Sequence, residues 1–211
     1  MTASTATIIA AAIGAFGAVV AALIVKYDIL SIFKKTKFNL TGSWHGMSVY
    51  MPVDIYNVGS ECVYKFSAEL KQSGGKITFF ENITEFYDID LTRIEKHPPR
   101  IIDGKGRVLS DKDVIIQFNE KDSLTCGTMY LTIDTWGKEL QGIMSVRNPY
   151  FGTPAGVKIV LRRAGERDVT PDDLGVARVK AMADAFLREQ EKQKNSPNKA
   201  NSADAKSHAA D

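Results

Sequence analysis

Histidine and cysteine are scarce in this sequence, and neither is placed for chemistry. The three histidines, His45, His97 and His208, fall in an apparent strand, a proline-rich loop and the far C-terminal stretch, so they assemble no catalytic constellation at local spacing. There is no His-Glu-x-x-His, no Gly-x-Ser-x-Gly and no phosphate loop with its lysine, and Gly104-Lys105-Gly106 reads as a hairpin turn. The expectation is a protein that is not an enzyme and carries no cofactor and no metal. The two cysteines, Cys62 and Cys126, have neither the density of a disulfide-stapled secreted domain nor the spacing of a zinc site, and read as packing residues. An excess of one charge is lacking too: 27 Lys plus Arg against 25 Asp plus Glu leave a formal +2, too mild for a polyanion-binding surface, so DNA and RNA are not expected as partners.

Charge is absent altogether from residue 6 to residue 25, where Thr7 is the clearly polar side chain. About 20 helical residues suffice to cross a hydrocarbon core. A cleavable signal would open on basic residues, but the first lysine is Lys26, and Lys34, Lys35 and Lys37 follow it. The run therefore reads as an uncleaved transmembrane anchor (residues 1–25) followed by a basic juxtamembrane linker (26–39). The positive-inside tendency places everything after it in the cytoplasm, as a single-pass protein of the inner (cytoplasmic) membrane. Ala10, Gly14, Ala18 and Ala22 recur every four residues, a small-residue stripe that lets two such helices approach closely and form a homo-oligomer in the bilayer.

Beyond Phe38 the pattern changes to short alternating runs broken by turn residues, the signature of successive antiparallel strands. Tyr64, Phe66, Ala68 and Leu70 alternate with Lys65, Ser67, Glu69 and Lys71, and Ser73-Gly74-Gly75 offers the positive φ values of a tight hairpin. Further strands are expected over residues 41–50, 76–87, 100–109, 114–118, 124–133, 140–146 and 157–162. Some eight strands between residues 40 and 165 predict a mainly β domain, an antiparallel up-and-down barrel whose closure removes exposed edges; a β-sandwich is the rival. Glu81 and Glu85 sit at even spacing and read as two exposed glutamates on one face of the wall.

Gly42-Ser43-Trp44 opening the first strand, with Arg162 and Arg163 ending the last, resembles the calycin or lipocalin pattern. The resemblance implies that Trp44 closes the barrel floor beneath an arginine, a structural role. A cytoplasmic barrel behind an N-terminal anchor also resembles the membrane-tethered β-barrel effectors of bacterial cyclic-oligonucleotide antiphage signalling (CBASS). That resemblance implies a barrel that senses a cyclic di- or trinucleotide and anchors that assemble to disrupt the inner membrane.

Such a ligand demands aromatic faces for its bases and cationic or amide donors for its phosphates, and Tyr50, Tyr64, Arg147 and Tyr150 are the candidates. Two other functions fit the same sequence: a lipocalin-like binder of an apolar ligand at the membrane, and a membrane-anchored scaffold that recruits a protein. Thr170-Pro171-Asp172-Asp173 starts an amphipathic helix over 170–193, with Thr170 as N-cap and Pro171 in the first turn. Its stripe of Val176, Val179, Met182 and Phe186 is expected to pack on the barrel wall. From Lys194 to the end no large apolar residue occurs, so residues 194–211 read as a disordered tail.

Overall fold

The computed structural model describes residues 37–52, 61–95, 98–147 and 154–195. The expected anchor with its Ala10, Gly14, Ala18 and Ala22 stripe, most of the basic linker, Tyr150 and nearly all of the expected tail lie outside the described residues. Among the described residues no helix is long and apolar enough to cross a membrane.

Eight antiparallel strands close into one barrel in chain order. They are β1 (Gly42–Tyr50), β2 (Val63–Ser73), β3 (Lys76–Tyr87), β4 (Arg100–Val108), β5 (Asp113–Glu120), β6 (Cys126–Ile133), β7 (Glu139–Arg147) and β8 (Ala155–Arg163). Each strand pairs with the next, and β8 returns to β1 in a register running from Trp44 opposite Arg163 to Tyr50 opposite Val157. The barrel, not the sandwich, is the architecture.

Alternation fills the interior. Phe66, Ala68 and Leu70 of β2, Ile77 and Phe79 of β3, Ile116 and Phe118 of β5 and Met129 and Leu131 of β6 are all buried. Glycine makes room for two of the rings: a Cβ on Gly46 would lie 2.6 Å from the Phe66 ring, and one on Gly127 would lie 2.5 Å from that of Phe118. The barrel is thus a packed core of interlocking side chains.

The barrel has two ends. At the floor lie the start of β1, the turns β2–β3, β4–β5 and β6–β7, and the end of β8; the other connections border the mouth. At the floor Trp44 is 1% exposed, its indole N–H donates to the Leu40 carbonyl at 3.0 Å, and the Arg163 guanidinium stands 5.1 Å from its ring centre. Arg162 faces the other way, as alternation requires. Its guanidinium donates to Glu139 of β7 at 2.8 Å and to both Asp173 oxygens at 2.9 and 2.8 Å. The expected pair of closing arginines is therefore divided: Arg163 covers Trp44, while Arg162 ties the outer wall to the C-terminal extension.

That extension is two helices, α1 (Pro171–Leu174) and α2 (Val176–Asn195), rather than one. Gly175, at φ +67°, breaks them apart, a left-handed position that suits glycine. Asp173 accepts from the Thr170 N–H at 2.8 Å and hydroxyl at 2.9 Å, securing the start. Lys158 of β8 donates to the Leu174 carbonyl at 2.9 Å. Leu174, Val176, Val179 and Ala183 are buried with the core. Met182 and Phe186, expected in the packed stripe, are 52% and 41% exposed, because Ala183 takes the position that faces the wall.

Candidate functional site

At the mouth, the inner faces of the first five strands bring Tyr50, Tyr64, Phe86, Arg100 and Glu120 into one cluster. The Arg100 guanidinium lies 5.1 Å from the Phe86 ring centre and 5.9 Å from that of Tyr64. It donates to the Glu61 carboxylate at 2.5 Å, and its Nε stands 3.7 Å from Glu120. Two carboxylates thus hold the guanidinium against two aromatic faces, which fixes a flexible side chain in one orientation.

The rings are ordered as well. Tyr50 meets Tyr64 edge to face at 5.8 Å, and Tyr64 meets Phe86 likewise at 5.6 Å, the arrangement that aligns ring edges with ring faces. The Tyr64 hydroxyl donates to the Glu61 carbonyl at 3.1 Å. Burial raises both phenols above their usual value, so both are neutral hydroxyls at physiological pH. Desolvation pulls Arg100 down, but the Glu61 and Glu120 carboxylates oppose it, and the guanidinium stays above its ordinary value.

Beneath the cluster lies a cavity of about 40 Å³ lined by residues including Ser48, Tyr50, Tyr64, Glu81, Arg100 and Glu120. Glu81 is 1% exposed, and neither of its carboxyl oxygens has a hydrogen-bond partner. Burial pushes its carboxyl up to about 8, so at neutral pH it is chiefly the uncharged acid.

The expected pair of exposed glutamates is split by a β-bulge. Lys65 stands opposite Glu85 while the next residue, Phe66, stands opposite Ile83. The extra residue on β3, Thr84, reverses the alternation beyond it. Glu81 therefore points inward, whereas Glu85 lies outside with Lys65 at 3.6 Å and accepts from the Tyr87 hydroxyl. That hydrogen bond chiefly holds Glu85 below the ordinary carboxylate value.

Of the expected ligand residues, Tyr50 and Tyr64 come together. Arg147 ends β7 at the same rim, opposite Cys126 and exposed, but not in the cluster; Tyr150 lies outside the described residues. Sequence reasoning missed Glu61, Phe86, Arg100, Glu120 and Glu81. Three of these were signalled by parity: Ile77-x-Phe79-x-Glu81-x-Ile83, Arg100-x-Ile102, and Ile116-x-Phe118-x-Glu120 each continue an inward apolar alternation. Phe86 was hidden by the bulge, and Glu61 arrives from outside β2. Cys62 is buried and Cys126 is partly exposed. Among the described residues no group of His, Cys, Asp and Glu is arranged to hold a metal ion.

No protein-family profile matches the chain, and no curated protein does. Solved structures similar to it include a redesigned β-barrel, at 12% identity and a TM-score of 0.45, spanning 61% of this chain and 98% of the other. A de novo designed fluorescence-activating β-barrel is similar at 11% identity and a TM-score of 0.41, over 58% of this chain and 92% of the other.

Proposed function

We propose that the protein is a membrane-tethered sensor: the barrel receives a cyclic di- or trinucleotide at its mouth, and the liganded barrels draw their anchors together to disrupt the inner membrane in antiphage defence. The observation that carries the ligand half is the Arg100 guanidinium held against Phe86 and Tyr64, with the Tyr50 ring beside them. Aromatic faces and a fixed cation at one opening are what a base-and-phosphate ligand requires. The effector half rests on the uncharged run of residues 6–25 with its small-residue stripe, and on the resemblance to tethered barrel effectors.

An apolar ligand inside the barrel is the weaker reading. Ligand pockets run to about 300–1,000 Å³, against about 40 Å³ free beneath the mouth. A recruiting scaffold is favoured by one observation, the exposure of Met182 and Phe186 on α2.

The test is calorimetry and thermal unfolding of the full chain in detergent micelles against a panel of cyclic di- and trinucleotides. A selective ligand raises the unfolding temperature, and Arg100→Gln and Tyr50→Ala each weaken it at least tenfold. The same ligand releases dye from vesicles carrying the protein. A folded chain that ignores the whole panel refutes the sensor reading and leaves the scaffold.

A further inference from the structure

The two tryptophans of the chain occupy opposite surroundings, Trp44 at 1% and Trp136 at 78% exposure. Trp136 stands at the tip of the β6–β7 turn, on the rim of the floor, and the turn that presents it is rigid. The Asp134 carboxylate accepts the backbone N–H groups of Trp136, Lys138 and Glu139 at 3.3, 2.7 and 2.9 Å. Gly137 follows at φ +71°, with the Phe38 ring lying so close that a Cβ there would be 2.7 Å from it. The chain arriving from Lys37 therefore runs against the very turn that holds the indole out, and the lysine-bearing linker and the uncharged run of residues 6–25 precede it in sequence.

The rest of the rim has matching chemistry. The β4–β5 turn adds Leu109, 38% exposed, and Lys112. Beside it Lys76, Lys105 and Arg107 line an open groove of about 540 Å³ on the outer wall, and none of its lining residues is acidic. Of the nearby carboxylates, Asp113 accepts from Ser110, Asp134 is held within its turn, Glu139 is bonded to Arg162 and Glu166 to Lys138, while Asp111 on the β4–β5 turn is exposed and is outnumbered by the four basic residues.

We propose that the floor of the barrel is a membrane-contact face. Trp136 enters the interfacial layer of an anionic bilayer while Lys76, Lys105, Arg107 and Lys112 face the lipid phosphates. An indole is favoured at that depth because its ring is apolar and its N–H still reaches water or headgroups, and lysine and arginine are drawn to the negative surface potential. The barrel then stands on the bilayer with its mouth turned away, open to ligand. This orientation builds on the anchor reading of residues 6–25 and adds a face to it.

The test uses the full chain reconstituted in vesicles of mixed phosphatidylglycerol and phosphatidylcholine, with and without lipid brominated near the headgroup. Brominated lipid is expected to quench the tryptophan emission, and Trp136→Phe to abolish the quenching, because Trp44 is enclosed by the barrel. Lys105→Glu combined with Arg107→Glu lowers the quenching at least twofold, as does removing phosphatidylglycerol. If the chain floats with the vesicles while Trp136 stays water-like in emission and blind to bromine, the contact face is overturned and the anchor survives. A chain that does not float with vesicles overturns both. Trp136 is exposed, so its replacement leaves the fold in place as the control.

Discussion

Glu81→Gln isolates the cost of keeping an unpartnered carboxyl inside the barrel. Burial moves the Glu81 carboxyl from 4.5 to about 8 on folding, so between those values the folded chain holds a proton that the unfolded chain releases. Stability from this site is therefore fully present below 4.5 and is lost as the pH rises to about 8. Each pH unit of that interval costs ~1.4 kcal/mol: about 3 kcal/mol is gone at pH 7 and about 5 kcal/mol once the group ionises in the fold. Glutamine keeps the shape and carries no proton to lose. In urea unfolding of the full chain in detergent micelles, the wild type and Glu81→Gln should be nearly equal at pH 4.5. The variant should then pull ahead by about 3 kcal/mol at pH 7 and further at pH 8. Parallel pH dependence of the two proteins between pH 5 and 8 would refute the reasoning, since it would mean that Glu81 ionises as easily folded as unfolded.

Three other outcomes follow from the geometry. Arg162→Met takes from the Asp173 carboxylate, 14% exposed, its main partner while Arg167 and Thr170 remain on it, and losing such charge-assisted hydrogen bonds costs about 1.5–3 kcal/mol; protease should then release the C-terminal helices before it attacks the barrel. The Arg162 bonds hold Asp173 far below its ordinary value of 3.8, so the attachment is intact above that pH and weakens as the pH falls beneath it, which helix release on acid titration would report. Gly127→Ala places a Cβ 2.1 Å from the Ser145 carbonyl and 2.5 Å from the Phe118 ring, and overpacking of this kind lowers stability by about 1–3 kcal/mol; an unchanged urea midpoint would contradict the packing described. Burial, then Asp88 and Glu61, push the Cys62 thiol up to about 11, so the fast phase of reaction with a thiol reagent belongs to partly exposed Cys126 and disappears in Cys126→Ser.

Every strand was legible in the sequence because its signal is local: a period of two, ended by a turn. The expected run at 76–87 is β3 to the residue, and that at 41–50 starts one residue before β1. The site was less legible because its members are separated by whole strands. Tyr50 was found as an aromatic near a strand end and Tyr64 as one on the apolar face of its strand. Arg100 and Glu120 were passed over because a charged residue at the end of an apolar alternation looks like the first residue in solvent. Only closure of the ring, which sets β4 and β5 across from β1 and β2, shows that their inward parity leads to each other. Glu81 was misplaced for a different reason. It was read together with Glu85 as though the period of two ran unbroken, and the bulge at Thr84 leaves no mark in composition.

One signal was present and went unused. A strand of a barrel standing in water is apolar on its inner face alone, yet β8 reads Val157, Ile159, Val160 and Leu161, and β1 reads Met47, Val49 and Tyr50, with apolar residues on both faces and all of them buried. Strands apolar on both faces must be covered on the outside as well as within. These two are neighbours, they meet where the barrel closes, and Arg162 leaves the same wall to bind Asp173 at the start of α1. The cover is the C-terminal extension itself, which runs from that clamp at the floor to Lys180, paired at 3.2 Å with Asp90 beyond the mouth end of β3. The seam between the first and last strands, the place where a barrel is most easily opened, is thereby covered along its outer side by residues contributed from the same chain.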